Sequence, residues 1–187
     1  ALGLLRLTLE TGDLKGAEAM AQGLLASAGS DPEALNSLGV LSMAAGRGEE
    51  ALRYFKEALA LNPAYAGAYY NIAGLYQSSG EMGLAESYYK KTVEIEPFNA
   101  DALNNLAIIR DISGDETGAI ELFRRAENVP GGFYKASYNL GGLYYRKKMY
   151  VEAMAEYARV LQLYPGHQQA KARTAEIKRL LNETDGK

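Results

Sequence analysis

The apolar positions of this chain fall in runs of helical length, which short polar or glycine-containing breaks separate. In the second run of each pair an alanine is followed four residues later by an aromatic ring. This pattern predicts pairs of helices, each pair broken by one short turn. The first helices are predicted at 33–45, 67–79, 101–113 and 135–147, and the second helices at 49–61, 83–95, 117–129 and 151–163.

The breaks carry recognisable helix-ending residues. Gly46, Gly80 and Gly114 follow three of the first helices, where a left-handed backbone residue ends a helix at no cost for a Cβ atom. In the last pair Lys148 replaces that glycine, so we expect a different turn geometry there. Pro63, Pro97 and Pro165 end second helices, and Asp31 before Pro32 is a signal that starts a helix.

The pairs repeat every 34 residues without an insertion. When counting starts at Pro32, Ala66, Ala100 and Tyr134, equivalent places hold equivalent side chains. Place 7 is Leu38, Ile72, Leu106 and Leu140, and place 8 is Gly39, Ala73, Ala107 and Gly141. Place 20 is Ala51, Ala85, Ala119 and Ala153, and place 24 is Phe55, Tyr89, Phe123 and Tyr157. We expect the small residue at place 8 to leave room for a neighbouring helix.

This register resembles the tetratricopeptide repeat (TPR) family, whose unit is a helix-turn-helix of 34 residues. The resemblance implies an all-α fold, a right-handed α-solenoid closed by a C-terminal capping helix. The whole chain, 1–187, is then one array. Its parts are a degenerate first repeat at 1–31, full repeats at 32–65, 66–99, 100–133 and 134–167, and a capping helix with a frayed tail at 168–187.

In this family the first helices line a concave groove, and place 6 points into it. Here place 6 is Ser37 followed by Asn71, Asn105 and Asn139. An amide side chain can bond both C=O and N–H of a peptide backbone. The series resembles the asparagine ladder of O-linked N-acetylglucosamine transferase, which holds the substrate chain. The alternative is that these asparagines only satisfy local helix contacts.

Other groove positions complete a candidate peptide-binding site. The resemblance implies the following set: Asn36, Tyr70, Asn71, Gln77, Asn104, Asn105, Asp111, Tyr138, Asn139 and Tyr145. Its tyrosines offer large contact area together with a polar tip. Glu33 and Asp101 towards one end and Lys135 and Arg146 towards the other favour a weak charge gradient along the groove.

The two ends of the chain differ in character. The first helix is apolar on too many faces for a solvent-exposed terminal helix, through Leu2, Leu4, Leu5, Leu7 and Leu9. We therefore expect further repeats of a longer protein, or a second copy of the chain, to cover it. At the other end Ala170, Ala175, Ile177, Leu180 and Leu181 form one apolar stripe, which is typical of a capping helix.

The amino-acid composition limits the classes of binding partner that we expect. With 20 basic and 23 acidic side chains the formal net charge is -3, which does not favour nucleic acid or an anionic membrane. No apolar run reaches the roughly 20 residues that span a bilayer, so we expect a soluble chain without membrane insertion. Cysteine is absent. The compartment stays open, with the cytoplasm favoured.

Nothing in the sequence indicates catalysis. The single histidine, His167, follows Pro165 in a turn and is interpreted as a capping residue, and neither metal-ligand spacing nor a cofactor motif is present. We therefore predict a non-catalytic adaptor or scaffold, without cofactor or metal, that binds a peptide segment of a protein partner in its groove. One alternative is the substrate-recruiting arm of a larger enzyme such as a glycosyltransferase. Another is a scaffold that self-assembles through the N-terminal leucines.

Overall fold

The structure is a computed structural model that describes residues 31–185, together with 16, 19, 20, 22, 23 and 26. Helices joined by short turns make up residues 31–185, and these described residues contain no strand. The helices are α1 (Pro32–Ala44), α2 (Gly48–Leu61), α3 (Ala66–Ser78), α4 (Met82–Ile95), α5 (Ala100–Ile112), α6 (Glu116–Glu127), α7 (Phe133–Arg146), α8 (Tyr150–Leu163) and α9 (Gln168–Asp185). The predicted all-helical fold is confirmed. Most helix ends lie within one residue of their predicted positions, whereas α6 ends two residues early and α7 begins two residues early.

The chain divides into two compact units, Ala1–Pro97 and Phe98–Lys187. In the first unit α1 packs against α2, α3 packs against α4, and α2 also packs against α3. In the second unit α5 pairs with α6 and α7 with α8, while α6 contacts α7 and α9 covers α8. Each helix pair therefore buries its apolar face against the next pair of the same unit, as expected for a repeat protein.

The small residue at place 8 is needed because an aromatic ring of the second helix lies against it. A Cβ atom added to Gly39 would stand 2.4 Å from Cε1 of Phe55, which is fully buried. A Cβ atom on Gly141 would stand 2.9 Å from Cε1 of Tyr157. The glycines thus allow the two helices of a pair to approach each other closely.

The inter-helix turns after α1, α3, α5 and α7 share one geometry, and the prediction of a different turn at Lys148 is wrong. Gly46, Gly80 and Gly114 have φ of 75°, 81° and 87°, and Lys148 adopts the same left-handed conformation with φ of 59°. Its N–H donates to the carbonyl of Tyr145, and the next N–H, of Met149, donates to the carbonyl of Tyr144. This is the Schellman motif that also closes the glycine turns, so helix packing imposes the turn on a residue that does not favour it.

The predicted helix caps are confirmed. Asp31 accepts hydrogen bonds from the N–H groups of Glu33 and Ala34 at 3.3 and 3.2 Å, and Pro32 is the first residue of α1. His167 caps α9, because its Nδ1 accepts from the N–H of Ala170 at 3.1 Å. The imidazole therefore has a structural role at the start of α9.

A cluster of charged side chains, with buried carboxylates and partly exposed arginines, links α6, α7 and α8. The carboxylates of Glu127 and Glu156 are almost fully buried, and Arg124 bridges them at 2.9 and 2.6 Å. Arg159 bridges the same two carboxylates at 3.2 and 2.8 Å. The fully buried hydroxyl of Ser137 donates to Glu127 at 2.6 Å. Two carboxylates and two guanidinium groups thus balance each other between the two helix pairs of the second unit.

Three of the five residues predicted as the apolar stripe of the C-terminal helix pack onto α8, whereas Ala175 is exposed and its place in the stripe is wrong. Ala170 and Ile177 are fully buried beside Val160, and Leu181 packs against the same cluster. Helix α9 therefore covers the apolar face that α8 would otherwise expose. The leucines at 2, 4, 5, 7 and 9 lie outside the described residues, so the predicted contact surface at the N-terminus stays a prediction.

Candidate functional site

A cleft of about 390 Å³ opens on the second unit, lined by residues of α5 to α9. Ile108 and Ile112 of α5 give it an apolar wall, and Ile112 is 65% exposed. Tyr138, Asn139 and Arg146 of α7 add polar groups. The cleft therefore combines exposed apolar surface with several hydrogen-bonding side chains, the usual composition of a ligand-binding site.

Three of the ten residues predicted from the sequence line this cleft. They are Asp111, Tyr138 and Asn139. The other three predicted residues of the second unit, Asn104, Asn105 and Tyr145, are not among the lining residues; Asn104 is buried and Tyr145 turns towards α9. The four predicted residues of the first unit are Asn36, Tyr70, Asn71 and Gln77, and they lie on α1 and α3.

Two of the three asparagines of place 6, Asn71 and Asn139, bridge neighbouring first helices, whereas Asn105 accepts from Nδ2 of Asn104 on the same helix at 3.5 Å. Nδ2 of Asn71 donates to Oδ1 of Asn36 at 2.8 Å, and Nδ2 of Asn139 donates to Oδ1 of Asn104 at 2.9 Å. The two bonds are equivalent, because each joins place 6 of one repeat to place 5 of the preceding repeat. Part of each amide's bonding capacity therefore holds α3 to α1 and α7 to α5.

The polar residues of the first unit make a similar internal contact. The Tyr89 hydroxyl donates to Oε1 of Gln77 at 2.8 Å. The ring of Tyr70 lies edge-on to the ring of Tyr89, with centroids 5.5 Å apart. Both predicted groove residues thus support the position of Tyr89, which is almost fully buried.

In the second unit the same place holds a different residue, and the contact changes. Tyr145 occupies the place of Gln77, and its hydroxyl donates to Oε1 of Glu176 on α9 at 2.6 Å. This hydrogen bond raises the pKa of Tyr145 and, together with one from Arg173, lowers the pKa of Glu176. The guanidinium of Arg173 also lies 5.0 Å from the centroid of the Tyr145 ring. Tyr145 therefore anchors α9 beside the cleft.

Tyr157 occupies the place of Tyr89, and its hydroxyl lies beside Gly142. A Cβ atom on Gly142 would stand 3.8 Å from the Tyr157 hydroxyl, and both residues line the cleft. The Tyr157 side chain is only 1% exposed, and its burial raises the pKa of the phenol to about 12. The group therefore keeps its proton over the whole physiological range.

The charged groups of the first-helix face are paired within the second unit. Lys135 bonds Asp101 at 2.8 Å, and Arg146 bonds Asp111. Opposite charges on α5 and α7 thus stand next to each other and partly neutralise each other, and the predicted charge gradient stays a prediction. These pairs, like the asparagine bonds, join successive first helices, which sequence reading could not foresee from one repeat at a time.

Seven of the ten residues that line the cleft are not among the predicted site residues, and Tyr157 and Arg173 are two of them. The sequence indicates packing alone for Tyr157, because place 24 is a core position in every repeat. For Arg173 it indicates the solvent face of the capping helix. Continuing the count of 34 past residue 167 puts Arg173 at place 6, the same place as Asn139, and this signal could have found it.

The described residues show no sign of metal chemistry or of a membrane span. Across residues 31–185 no three His, Asp or Glu side chains come together as metal ligands would. Within the same part of the chain, no helix is long and apolar enough to cross a bilayer.

Within each helix pair a glycine or alanine of the first helix faces an aromatic ring of the second helix. Pairs of similar length that pack in series define the class of helical-repeat proteins. Three family models described as tetratricopeptide repeat match residues 2–66, 42–109 and 134–167, which together cover well over half of the chain. The chain belongs to the tetratricopeptide repeat family. Members of this family act as adaptors in protein–protein interaction and are generally non-catalytic scaffolds.

Solved structures show the same fold. TTC0263, a thermophilic TPR protein of Thermus thermophilus, is 22% identical and aligns over 94% of this chain and 96% of its own, with a TM-score of 0.73. The pilF protein of Pseudomonas aeruginosa is 17% identical and aligns over 96% of this chain and 89% of its own, with a TM-score of 0.76. MamA of Desulfovibrio magneticus RS-1 is 23% identical and aligns over 89% of this chain and 94% of its own, with a TM-score of 0.69. A comparison with curated proteins finds no match. At these identities the similarity shows the fold alone.

Proposed function

We propose that this chain is a non-catalytic adaptor that holds a peptide segment of a partner protein on its first-helix face. The proposed contact surface combines the residues predicted from the sequence with those that line the cleft. The predicted residues are Asn36, Tyr70, Asn71, Gln77, Asn104, Asn105, Asp111, Tyr138, Asn139 and Tyr145. In this proposal Asn36, Asn71, Asn104 and Asn139 act mainly by holding neighbouring first helices together.

The single observation that supports the proposal most strongly is the cleft of the second unit. Its volume of about 390 Å³ is large enough for one or two peptide side chains. Ile112 is mostly exposed on the wall of the cleft, and removing this apolar side chain from water would be favourable. A peptide that covers Ile108 and Ile112 would bury this surface and bring its polar groups near Tyr138 and Asn139.

A pair of matched variants tests the proposal. Ile112 lines the cleft and is 65% exposed, whereas Val151 is 66% exposed and lies outside the cleft-lining set. Both residues are β-branched and equally exposed, but Ile112 ends α5 and Val151 lies in the first turn of α8, so the helix dipole should make Ile112→Glu less stable than Val151→Glu by up to about 1 kcal/mol, which thermal melting measures. We expect Ile112→Glu to weaken the binding of peptides selected from a random library by about tenfold, because one buried apolar contact is lost. Val151→Glu should leave the binding of these peptides unchanged.

The control and the contrary outcome are both measurable. Far-ultraviolet circular dichroism should give the same helical signal for both variants. If the selected peptides bind both variants as tightly as the wild type, the cleft is not the peptide site. The recruiting-arm and self-assembly alternatives depend on other domains or on the N-terminal leucines, and the cleft favours neither of them.

A further inference from the structure

We propose that the ionic cluster of the second unit fixes which helix pair docks on which, and so opposes the exchange of helix pairs between copies of this chain. The cluster consists of Arg124, Glu127, Ser137, Glu156 and Arg159. This inference is independent of the proposed peptide site. It concerns a hazard of repeat proteins in general, because similar units present similar faces to one another and can pair in the wrong order.

The cluster occupies places that hold apolar or aromatic side chains in the other full repeats. Glu127 stands at place 28 of the third full repeat, and Ser137 and Glu156 stand at places 4 and 23 of the fourth. In the other full repeats place 28 is Leu59, Val93 and Leu161, place 4 is Leu35, Tyr69 and Leu103, and place 23 is Tyr54, Tyr88 and Leu122. The joint between α6 and the next helix pair therefore differs in its chemistry at three places.

The bonds of the cluster cross between the two helix pairs in both directions. Arg124 of α6 bonds Glu156 of α8 at 2.6 Å, and Arg159 of α8 bonds Glu127 of α6 at 3.2 Å. The Ser137 hydroxyl of α7 donates to Glu127 at 2.6 Å. The side chains of the two glutamates are only 4% and 5% exposed, so groups from both helix pairs replace the water that these carboxylates lose.

A wrong pairing would leave part of this cluster without partners. If α7 and α8 docked on α4, Ser137 would face Val93, whose side chain accepts no hydrogen bond. Glu156 would meet Lys90, whose ammonium is a point charge and lacks the fork with which Arg124 bridges two carboxylates. A buried polar group without a partner costs more than the paired group contributes, whereas apolar faces accept any apolar neighbour of similar shape. The cluster therefore contributes selectivity of pairing more than stability.

The segment between α6 and α7 is the connection that an exchange would use. It has five residues, 128–132, whereas four residues join α2 to α3, α4 to α5 and α8 to α9. Gly131 has φ of 82° and lies between Pro130 and Gly132. Exchange of α7, α8 and α9 between two copies requires this segment to extend, since identical elements are exchanged through the segments that join them. The cluster thus lies at the joint with the longest connection between helix pairs within residues 31–185.

Refolding of labelled chains tests the inference. The chain has no cysteine, so Lys171→Cys at an exposed position of α9 introduces a single site for a fluorescent label. Donor-labelled and acceptor-labelled chains are mixed, unfolded in urea, refolded together and diluted. Energy transfer that survives dilution, in a species with the mass of a dimer by light scattering, measures the exchanged fraction. A sample mixed after separate refolding gives the signal of ordinary association, which is subtracted.

The test variant carries the residues of other repeats at the three polar places, Glu127→Val, Ser137→Leu and Glu156→Leu. We expect its exchanged fraction to be about tenfold higher than that of the wild type, because the penalty for one unpaired buried polar group no longer opposes exchange. Its melting temperature should not fall, because well-packed apolar residues replace a buried ion pair at little cost in stability.

Two further variants make the result specific. Glu156→Gln keeps the shape of the side chain and removes one charge, and it should raise the exchanged fraction about threefold. The control carries equivalent changes at exposed positions of the first unit, and it should leave the exchanged fraction unchanged. Its substitutions are Glu57→Leu, Ser87→Leu and Glu94→Val.

The outcomes decide the inference in either direction. A rise confined to the cluster variants supports it. An exchanged fraction equal to that of the wild type in these variants would overturn it, and so would an equal rise in the control, because added apolar surface alone would then explain the exchange. If the triple variant does not fold, the result for Glu156→Gln decides alone. The proposed peptide site is unaffected by any of these results, since Ile112→Glu tests it separately.

Discussion

The left-handed turn at Lys148 provides a sharp test of how packing overrides local preference. Lys148 has φ of 59° in the same hydrogen-bonded turn that Gly46, Gly80 and Gly114 form elsewhere. An L-residue with a Cβ atom loses about 1–2 kcal/mol in this conformation. Glycine removes this cost but lowers stability by about 0.4–1 kcal/mol, because it has more conformational freedom in the unfolded chain. We therefore expect Lys148→Gly to raise the free energy of unfolding by about 1 kcal/mol.

Urea denaturation and thermal melting by circular dichroism measure this gain. For a chain of this length, about 1 kcal/mol corresponds to a melting temperature about 2–4 °C higher. Because the stability of a repeat protein is close to a sum over neighbouring pairs, the gain should be largest in α7 and α8. Hydrogen exchange of the amides of those two helices should slow accordingly.

Two controls separate the backbone effect from loss of the lysine side chain. Lys148→Ala keeps the Cβ atom and should leave stability within a few tenths of a kcal/mol of the wild type. Gly114→Lys makes the reverse change in the neighbouring turn of the same unit, where φ is 87°, and should cost about 1 kcal/mol. If Lys148→Gly melts no higher than Lys148→Ala, the turn carries no backbone strain and the reasoning is refuted.

Three further predictions concern the packing and the ionisable groups. Gly39→Ala should destabilise the first unit by about 1–3 kcal/mol, because the new Cβ would stand 2.4 Å from the Phe55 ring, and adding Phe55→Leu should recover part of this loss in a melting experiment. Glu127→Ala should cost about 1–3 kcal/mol, since it leaves the buried Ser137 hydroxyl without an acceptor, and a double-mutant cycle with Ser137→Ala should show positive coupling. The Tyr157 phenol should titrate near pH 12 when followed by ultraviolet absorbance. Because its folded pKa exceeds the ordinary value of 10, its contribution to stability is complete below pH 10 and is lost between pH 10 and 12. The Tyr157→Phe variant should not show this loss.

The proposed site gives the adaptor a location and a chemistry. The ion pairs of Lys135 with Asp101 and of Arg146 with Asp111 join successive first helices of the second unit, as the amide bond from Asn139 to Asn104 does. These contacts hold the walls of the cleft without the ligand. A preformed cleft loses less conformational entropy on binding than a flexible one, which favours selective recognition of a short segment.

The helices, most of their turns and the core could be predicted from the sequence, because the 34-residue register repeats local signals that act within one repeat. The ring of Phe55 against Gly39, the cap at Asp31 and the proline-ended helices all depend on residues close together in the chain. The polar groups that remain available for a ligand could not be predicted in this way, since they depend on contacts between repeats and with α9. Tyr145 bonds Glu176, which lies 31 residues further along the chain, so this predicted groove residue anchors α9 and does not line the cleft.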